Sequence, residues 1–294
     1  MTQLAKTHRV AAIACAFVAL TASIAAAQQT GRHRTFNTPH DAVQALIAAV
    51  KTGNFDELLA IFGPDGQELV ASSDPATGRR NREVFSVAVG EKWQLVDEGP
   101  NRKTLVIGNE EWPFPVPIVK DASGWRFDTA SGKEEIIARR IGRNELAAID
   151  SCLAYVTAQK RYAQEGHDGN PAGVYAKTFN SDPGKENGLY WPAAHGQKRS
   201  PLGELVAQAA EEGRALGADR TQPSPLHGYY FKILTSPGGF ALVAWPAEYN
   251  VTGVMTFLVN QDGIVREKDL GTGTDASARR MTAHHPDSSW RRSQ

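Results

Sequence analysis

A long stretch with helical spacing, residues 134–163, separates two parts of this chain that both contain strand-forming sequence. Apolar side chains recur along it every three or four positions, as they do on the buried face of an α-helix. These residues are Ile136, Ile137, Ile141, Leu146, Ile149, Leu153 and Val156. We expect Gly142 to interrupt the helix, because glycine is a poor helix former. The stretch is predicted to link two domains.

The first half combines three helical patterns with a series of short strand-like runs. Thr38 is predicted to cap a first helix, because Pro39 and Asp41 both suit a first turn. Further helices are expected at 54–62 and 81–89. The strand-like runs lie at 93–98, 103–107, 114–120 and 124–128.

Three alternating prolines, at positions 113, 115 and 117, interrupt the strand-like part of the first half. Each removes a backbone donor, so we expect residues 112–117 to be extended but placed at a sheet edge or a bulge. The first half is therefore predicted to pack helices on a curved antiparallel sheet. Its pattern resembles the nuclear-transport-factor-2-like (NTF2-like) fold at the level of architecture only.

The second half is predicted to form a small antiparallel sheet that accompanies the long helix. A short helix is expected at 202–214, followed by strand-like runs at 228–234, 240–244, 254–260 and 264–268. The sequence Gln261-Asp262-Gly263 favours a tight turn between the last two runs. Residues 246–263 are similar in pattern to the globular heads of pilin-like secreted proteins. Both halves together indicate the α+β fold class.

The N-terminal sequence is typical of a secretory signal peptide. Residues 1–27 contain a short basic start, an apolar run and an Ala25-Ala26-Ala27 cleavage site. The apolar run is too short to cross a bilayer, and no later stretch reaches the roughly 18–20 apolar residues that a membrane helix requires. We therefore expect a periplasmic or secreted protein, cleaved after Ala27, with no transmembrane segment in the mature chain.

Charge and cysteine content narrow the function classes further. Cleavage would remove Lys6 and Arg9 from 32 basic residues and none of the 32 acidic ones, which leaves 30 against 32 and a charge of −2. This balance argues against nucleic acid as a partner, because nucleic acids are bound by concentrated Lys and Arg. Cys15 would leave with the signal, so Cys152 has no intrachain partner and is predicted to be a core residue.

The predicted organisation has five parts. They are a signal peptide (1–27), a flexible mature N-terminus (28–36), an α+β domain (37–132), a domain of long helix and antiparallel sheet (133–270) and a C-terminal tail (271–294).

No motif in the sequence defines a reaction. The Gly-x-Ser-x-Gly elbow of serine hydrolases and the phosphate-binding Gly-rich loop are both missing. Adjacent carboxylates, as at Glu110-Glu111, are typical of a solvated surface, and so is His284-His285. Residues 165–170 resemble a calcium loop, but with Gly169 at the turn position, Gln164, Gly166 and Tyr175 stand where acids belong. We therefore assign no catalytic residue, no metal ligand and no cofactor.

A set of aromatic and polar residues in the second half is the best candidate for a ligand groove. Such rings bury a large area and keep a polar group available for a sugar, peptide or lipid. The candidates are Trp191, His195, His227, Trp245, Glu248 and Tyr249. The alternative is that these rings fill the core of the second domain. Substitution of Trp191 or Trp245 by alanine would distinguish the two, because loss of a core ring costs about 3–5 kcal/mol.

Six runs of residues resemble the bacterial secreted proteins of the domain of unknown function 2950 family (DUF2950). They are 112–115 (WPFP), 124–129 (GWRFDT), 139–145 (RRIGRNE), 188–192 (GLYWP), 227–231 (HGYYF) and 245–249 (WPAEY). The resemblance implies a periplasmic or secreted protein and leaves any reaction open. Members of that family usually carry a longer Gly-rich segment where residues 234–239 join two strands here.

These observations favour a non-catalytic binding or envelope-assembly protein of otherwise unknown function. Its partner is expected to be another envelope protein or a small periplasmic ligand. The alternative is a periplasmic cleft enzyme, a hydrolase that acts on an envelope polymer. Clustering of His195, His227 and Glu248 around one pocket would favour the enzyme, and their dispersal would favour the binding role.

The signal peptide gives a direct prediction. N-terminal sequencing of the exported protein is expected to begin at Gln28, because cleavage follows Ala27. A periplasmic or secreted form that still carries Met1 would contradict this.

Overall fold

The computed structural model describes residues 33–70, 75–192, 199–203, 205–206 and 225–293. The chain divides into two compact units, the first ending at Glu135 and the second beginning at Ile136. Helices and antiparallel sheets are both present, so the α+β class is confirmed. The NTF2-like and pilin-head-like likenesses stay predictions. Within the described residues, no helix has the length and apolar character that would cross a membrane.

The first unit packs helices on an antiparallel sheet. Its elements are α1 (Pro39–Thr52), α2 (Phe55–Phe62), a 3-10 turn (Pro64–Gly66), α3 (Gln67–Val70), α4 (Pro75–Glu91), β1 (Trp93–Asp97), β2 (Arg102–Ile107), β3 (Trp112–Pro113), β4 (Ile118–Asp121) and β5 (Gly124–Phe127). The strand order is β1-β2-β4-β5, with β3 also paired to β2. The apolar face of α1, centred on Val43 and Leu46, shares one core with Leu105 and Phe127 of the sheet.

The start of α1 is fixed by a reciprocal pair of hydrogen bonds. The Thr38 hydroxyl accepts from the Asp41 backbone N–H at 3.1 Å, and the Asp41 carboxylate accepts from the Thr38 N–H at 3.2 Å. Pro39 occupies the first turn, where it loses no helical hydrogen bond. The predicted cap is confirmed, and this capping box satisfies two donors that the helix itself cannot pair.

The proline-rich run is divided between an edge pairing and an irregular segment, as its missing donors predict. Trp112 and Pro113 pair with β2, and the Phe114 N–H donates to the Leu105 carbonyl at 2.7 Å. Residues 114–117 are not part of a strand. The chain then pairs with the N-terminal end of β2 through β4, where Ile118 lies opposite Lys103. The run thus interrupts the pairing between β2 and β4.

The second unit places a five-stranded antiparallel meander between two covering layers. Its elements are the greater part of α5 (Thr129–Glu165), β6 (Tyr229–Ser236), β7 (Gly239–Pro246), β8 (Met255–Asn260), β9 (Arg266–Asp269), a 3-10 turn (Gly271–Gly273), α6 (Thr274–Arg280) and β10 (Arg291–Arg292). The strand order is β10-β9-β8-β7-β6. Phe240, Leu242 and Ala244 of β7 pack in the cluster with α5, and Ala241, Val243 and Trp245 pack in the cluster with α6.

One of the local predictions for this unit is confirmed, one is wrong, and one lies mostly outside the described residues. The turn between β8 and β9 is confirmed, with Gly263 at φ +73° and its N–H bonded to the Asn260 carbonyl at 3.0 Å. The interruption expected at Gly142 is wrong, because α5 continues through it. One exposed glycine costs a helix only about 1 kcal/mol relative to alanine. The helix predicted at 202–214 lies mostly outside the described residues.

Residues after 270, which the sequence analysis set apart as a tail, carry α6 and β10. Ala278 and Trp290 are buried in the cluster on the outer face of the sheet. β10 pairs with β9 through Arg291 and Glu267. This segment therefore supplies one of the two layers that cover the sheet.

The capping box predicts a stability change that can be measured. Thr38→Ala is expected to lower the free energy of unfolding by about 1 kcal/mol, because it removes the acceptor for the Asp41 N–H. Chemical denaturation of the purified protein would measure it. Thr52→Ala is the control, since Thr52 only bonds back to carbonyls in its own helix, and it is expected to change the value by less than about 0.5 kcal/mol.

Candidate functional site

The predicted groove residues do not share one surface. Trp191 packs partly against the cluster on the α5 side of the second sheet, whereas Trp245 belongs to the cluster on the opposite side. His195 lies outside the described residues. The remaining candidates, His227, Glu248 and Tyr249, lie near the ends of strands β6 and β7. The structure therefore separates the two tryptophans by the thickness of the sheet.

Trp245 is a core residue of the second unit. Trp245 is only 3% exposed, and its indole N–H donates to the Asp275 carboxylate at 2.9 Å. The Arg279 guanidinium also binds Asp275 and lies 5.8 Å from the centre of the Trp245 ring. The hydrogen bond from Arg279 lowers the pKa of Asp275. This ring joins α6 to the sheet, so the core interpretation applies to it.

At one end of strands β6 and β7, hydrogen bonds join two loop segments to helix α5, and we call this region the loop corner. It consists of residues 227–228 and 247–254 together with Asn144 and Glu145 of α5. One Glu145 oxygen accepts the backbone N–H groups of residues 254 and 255, both at 2.9 Å. The Asn144 amide donates to the carbonyl of residue 252 at 2.8 Å. Two adjacent helix residues thus hold the end of a loop that is about 110 residues away in sequence.

Two glycines allow this corner to close. A Cβ at Gly228, which has φ +73°, would lie 2.7 Å from the Asn144 amide nitrogen. A Cβ at Gly253 would collide with the Tyr229 hydroxyl, which donates to the Met255 carbonyl at 3.0 Å. Burial, and after it the Glu145 carboxylate, raises the pKa of Tyr229, so the phenol stays a donor. Only glycine fits these two positions.

The loop corner displays three of the predicted site residues. The Ala247 N–H donates to the Gly228 carbonyl at 2.8 Å, which places His227 and Glu248 on neighbouring segments. Glu248 is exposed and His227 is partly buried. The Tyr249 hydroxyl donates to the Asp269 carboxylate at 3.2 Å. His227 and Asn250 adopt positive φ angles of 48° and 63°, which are uncommon for residues other than glycine.

The described residues provide neither a metal-ligand cluster nor a reactive thiol. The described part of the chain contains no group of three or more potential metal ligands. Cys152 is fully buried, and burial raises the pKa of its thiol to about 12, so it is not a reactive nucleophile. The anchoring residues Asn144 and Glu145 were not predicted as site residues. The only sequence signal for them was the 139–145 run, one of the six that resemble the DUF2950 family.

The fold and this corner define an α+β protein with two antiparallel-sheet units. The chain belongs to the family described as Protein of unknown function (DUF2950), whose model matches residues 33–293. No curated protein matches the chain, and no solved structure matches it either.

The two tryptophans should respond differently to truncation. Trp245→Ala is expected to lower the free energy of unfolding by about 3–5 kcal/mol, because it leaves a cavity and removes the hydrogen bond from the indole to Asp275. Trp191→Ala should cost less, since Trp191 is only partly buried. Denaturant unfolding of both variants would measure this. Equal losses would contradict the assignment of the two rings to different environments.

Proposed function

We propose that this chain is an exported protein of the bacterial envelope that acts by binding, not by catalysis. Its partner is another envelope protein or a small periplasmic ligand. The signal-like N-terminal sequence and the near-neutral charge support export and a partner other than nucleic acid. Membership of a family without an assigned activity is compatible with this proposal.

One observation carries the binding role. Three of the runs by which the sequence resembles its family, 139–145, 227–231 and 245–249, meet at the loop corner. Their polar groups and glycines hold backbone segments in a fixed shape. A rigid loop loses little conformational entropy on binding, and this favours its use as a recognition surface.

The second candidate is the hydrolase that acts on an envelope polymer. It is supported by the presence of His227 and Glu248 on neighbouring segments of the same corner, because an imidazole and a carboxylate can act together in acid–base catalysis. His195, the third residue of that hypothesis, lies outside the described residues.

A site-specific cross-linker tests the binding role. A photoreactive residue at Glu248 is expected to capture one reproducible protein or small-molecule neighbour in the native periplasm. The matched control is the same residue at Asp262, another exposed acid, in the β8–β9 turn. Cross-linked products would be identified by mass spectrometry after purification.

The outcomes of these experiments distinguish the binding role from the hydrolase. A neighbour captured from position 248 and not from position 262 supports the binding surface. The same products from both positions would contradict it. If the protein cleaves an envelope polymer and Glu248→Gln abolishes that cleavage without lowering the thermal stability, the hydrolase replaces the binding role.

A further inference from the structure

His167 lies in the turn that follows α5, with its ring stacked on the ring of Tyr162. The two ring centres are 4.3 Å apart and the planes differ by 25°. Gly166 has φ +66°, and a Cβ there would lie 2.7 Å from the Asn170 carbonyl oxygen. Only glycine allows the chain to reverse this tightly. The backbone therefore fixes the imidazole against the end of the helix.

Glu186 holds one nitrogen of this imidazole through a set of hydrogen bonds. His167 Nδ1 lies 2.9 Å from Glu186 Oε2. The Glu186 backbone N–H donates to the Asp168 carboxylate at 2.7 Å, and its carbonyl accepts from the Tyr162 hydroxyl at 3.0 Å. Because a carboxylate accepts hydrogen bonds, Nδ1 carries a proton, and in the neutral imidazole Nε2 is then an acceptor.

The second imidazole nitrogen is buried without a partner. The His167 side chain is only 7% exposed, and its Nε2 forms no hydrogen bond with any residue that the structure describes. Buried polar atoms in folded proteins are nearly always paired. The nearby groups of Tyr162, Asp168 and Glu186 already have partners, so no described neighbour supplies a donor for this nitrogen, and a donor from a ligand would have to enter beside the buried ring.

The surroundings restrict the chemistry of that group. The partly buried ring of Trp191 lies 5.3 Å from the His167 ring, between centres, and is tilted by 57°. The carboxylates of Asp168 and Glu186 make the local potential negative; burial and then these two charges raise the pKa of Tyr162. An anion is therefore disfavoured. The acceptor nitrogen requires a donor, and the indole offers an apolar surface.

We propose that His167, Glu186 and Trp191 form a binding site for a neutral saccharide. A sugar hydroxyl donates to His167 Nε2, and the C–H face of the sugar ring packs on Trp191. The Glu186 side chain is 52% exposed, so its carboxylate can accept a second hydroxyl while it holds Nδ1. This site is separate from the loop corner, and its test does not depend on the binding role assigned there.

Calorimetric titration of the mature protein with two neutral probes, maltotriose and tri-N-acetylchitotriose, tests the site. At least one probe is expected to bind. His167→Phe keeps a ring on Tyr162 but removes both nitrogens, and it should weaken binding about tenfold or more, which corresponds to about 1.4 kcal/mol. His284→Phe is the control, because His284 also has a buried, unpaired Nε2 but lies in the segment after α6.

A second variant keeps the test valid if His167→Phe is unstable. Glu186→Ala truncates a half-exposed side chain, so it should fold normally and still weaken probe binding, because it removes the acceptor for Nδ1 and for the second sugar hydroxyl. Failure of both probes to bind would overturn the proposal. Binding that neither variant weakens would also overturn it, and so would a crystal structure with probe in which Nε2 bonds only to the protein or to a buried water.

Discussion

The second unit depends on burying strand β7 on both faces. Seven of its eight residues are buried, so its side chains need an apolar layer on each side of the sheet. Helix α5 supplies one layer, and α6 with the segment around Trp290 supplies the other. A meander with only one helix would leave Trp245 and its neighbours in water. The residues after 270 are therefore part of the fold, and the Trp245–Asp275 hydrogen bond gives this packing a fixed register.

The sequence predicted those elements whose cause is local. The cap at Thr38, the Asp262-Gly263 turn and the approximate positions of strands β1, β2 and β5 follow from side-chain chemistry within a few residues. The separation of Trp191 from Trp245 was not predicted, because alternation along β7 shows that Trp245 faces away from Phe240 but not which layer covers each face. The interruption predicted at Gly142 was wrong because the packing of the whole helix outweighs the low helix propensity of one residue.

The candidate site was predicted only in part, because its geometry comes from distant contacts. His227, Glu248 and Tyr249 were recognised as a group near one another in sequence. Asn144 and Glu145, which fix that loop, are about 110 residues away from the backbone groups that they bind. Hydrogen bonds of this kind leave no periodic signal. In the sequence His167 stands out only within a run that resembles a calcium loop, and the carboxylate that binds it, Glu186, follows 19 residues later.

The two polar networks of the second unit differ in one respect that bears on function. At the loop corner, the groups of Glu145 and Asn144 that face the loop are paired with backbone, and this makes the corner rigid. At His167, Nδ1 is bonded within the protein, whereas Nε2 has no partner among the described residues. A buried acceptor without a partner costs roughly 1–3 kcal/mol, which a donor from a ligand would recover. The paired network fixes the shape of the loop corner, and the unpaired nitrogen is the group to which the proposed saccharide would donate.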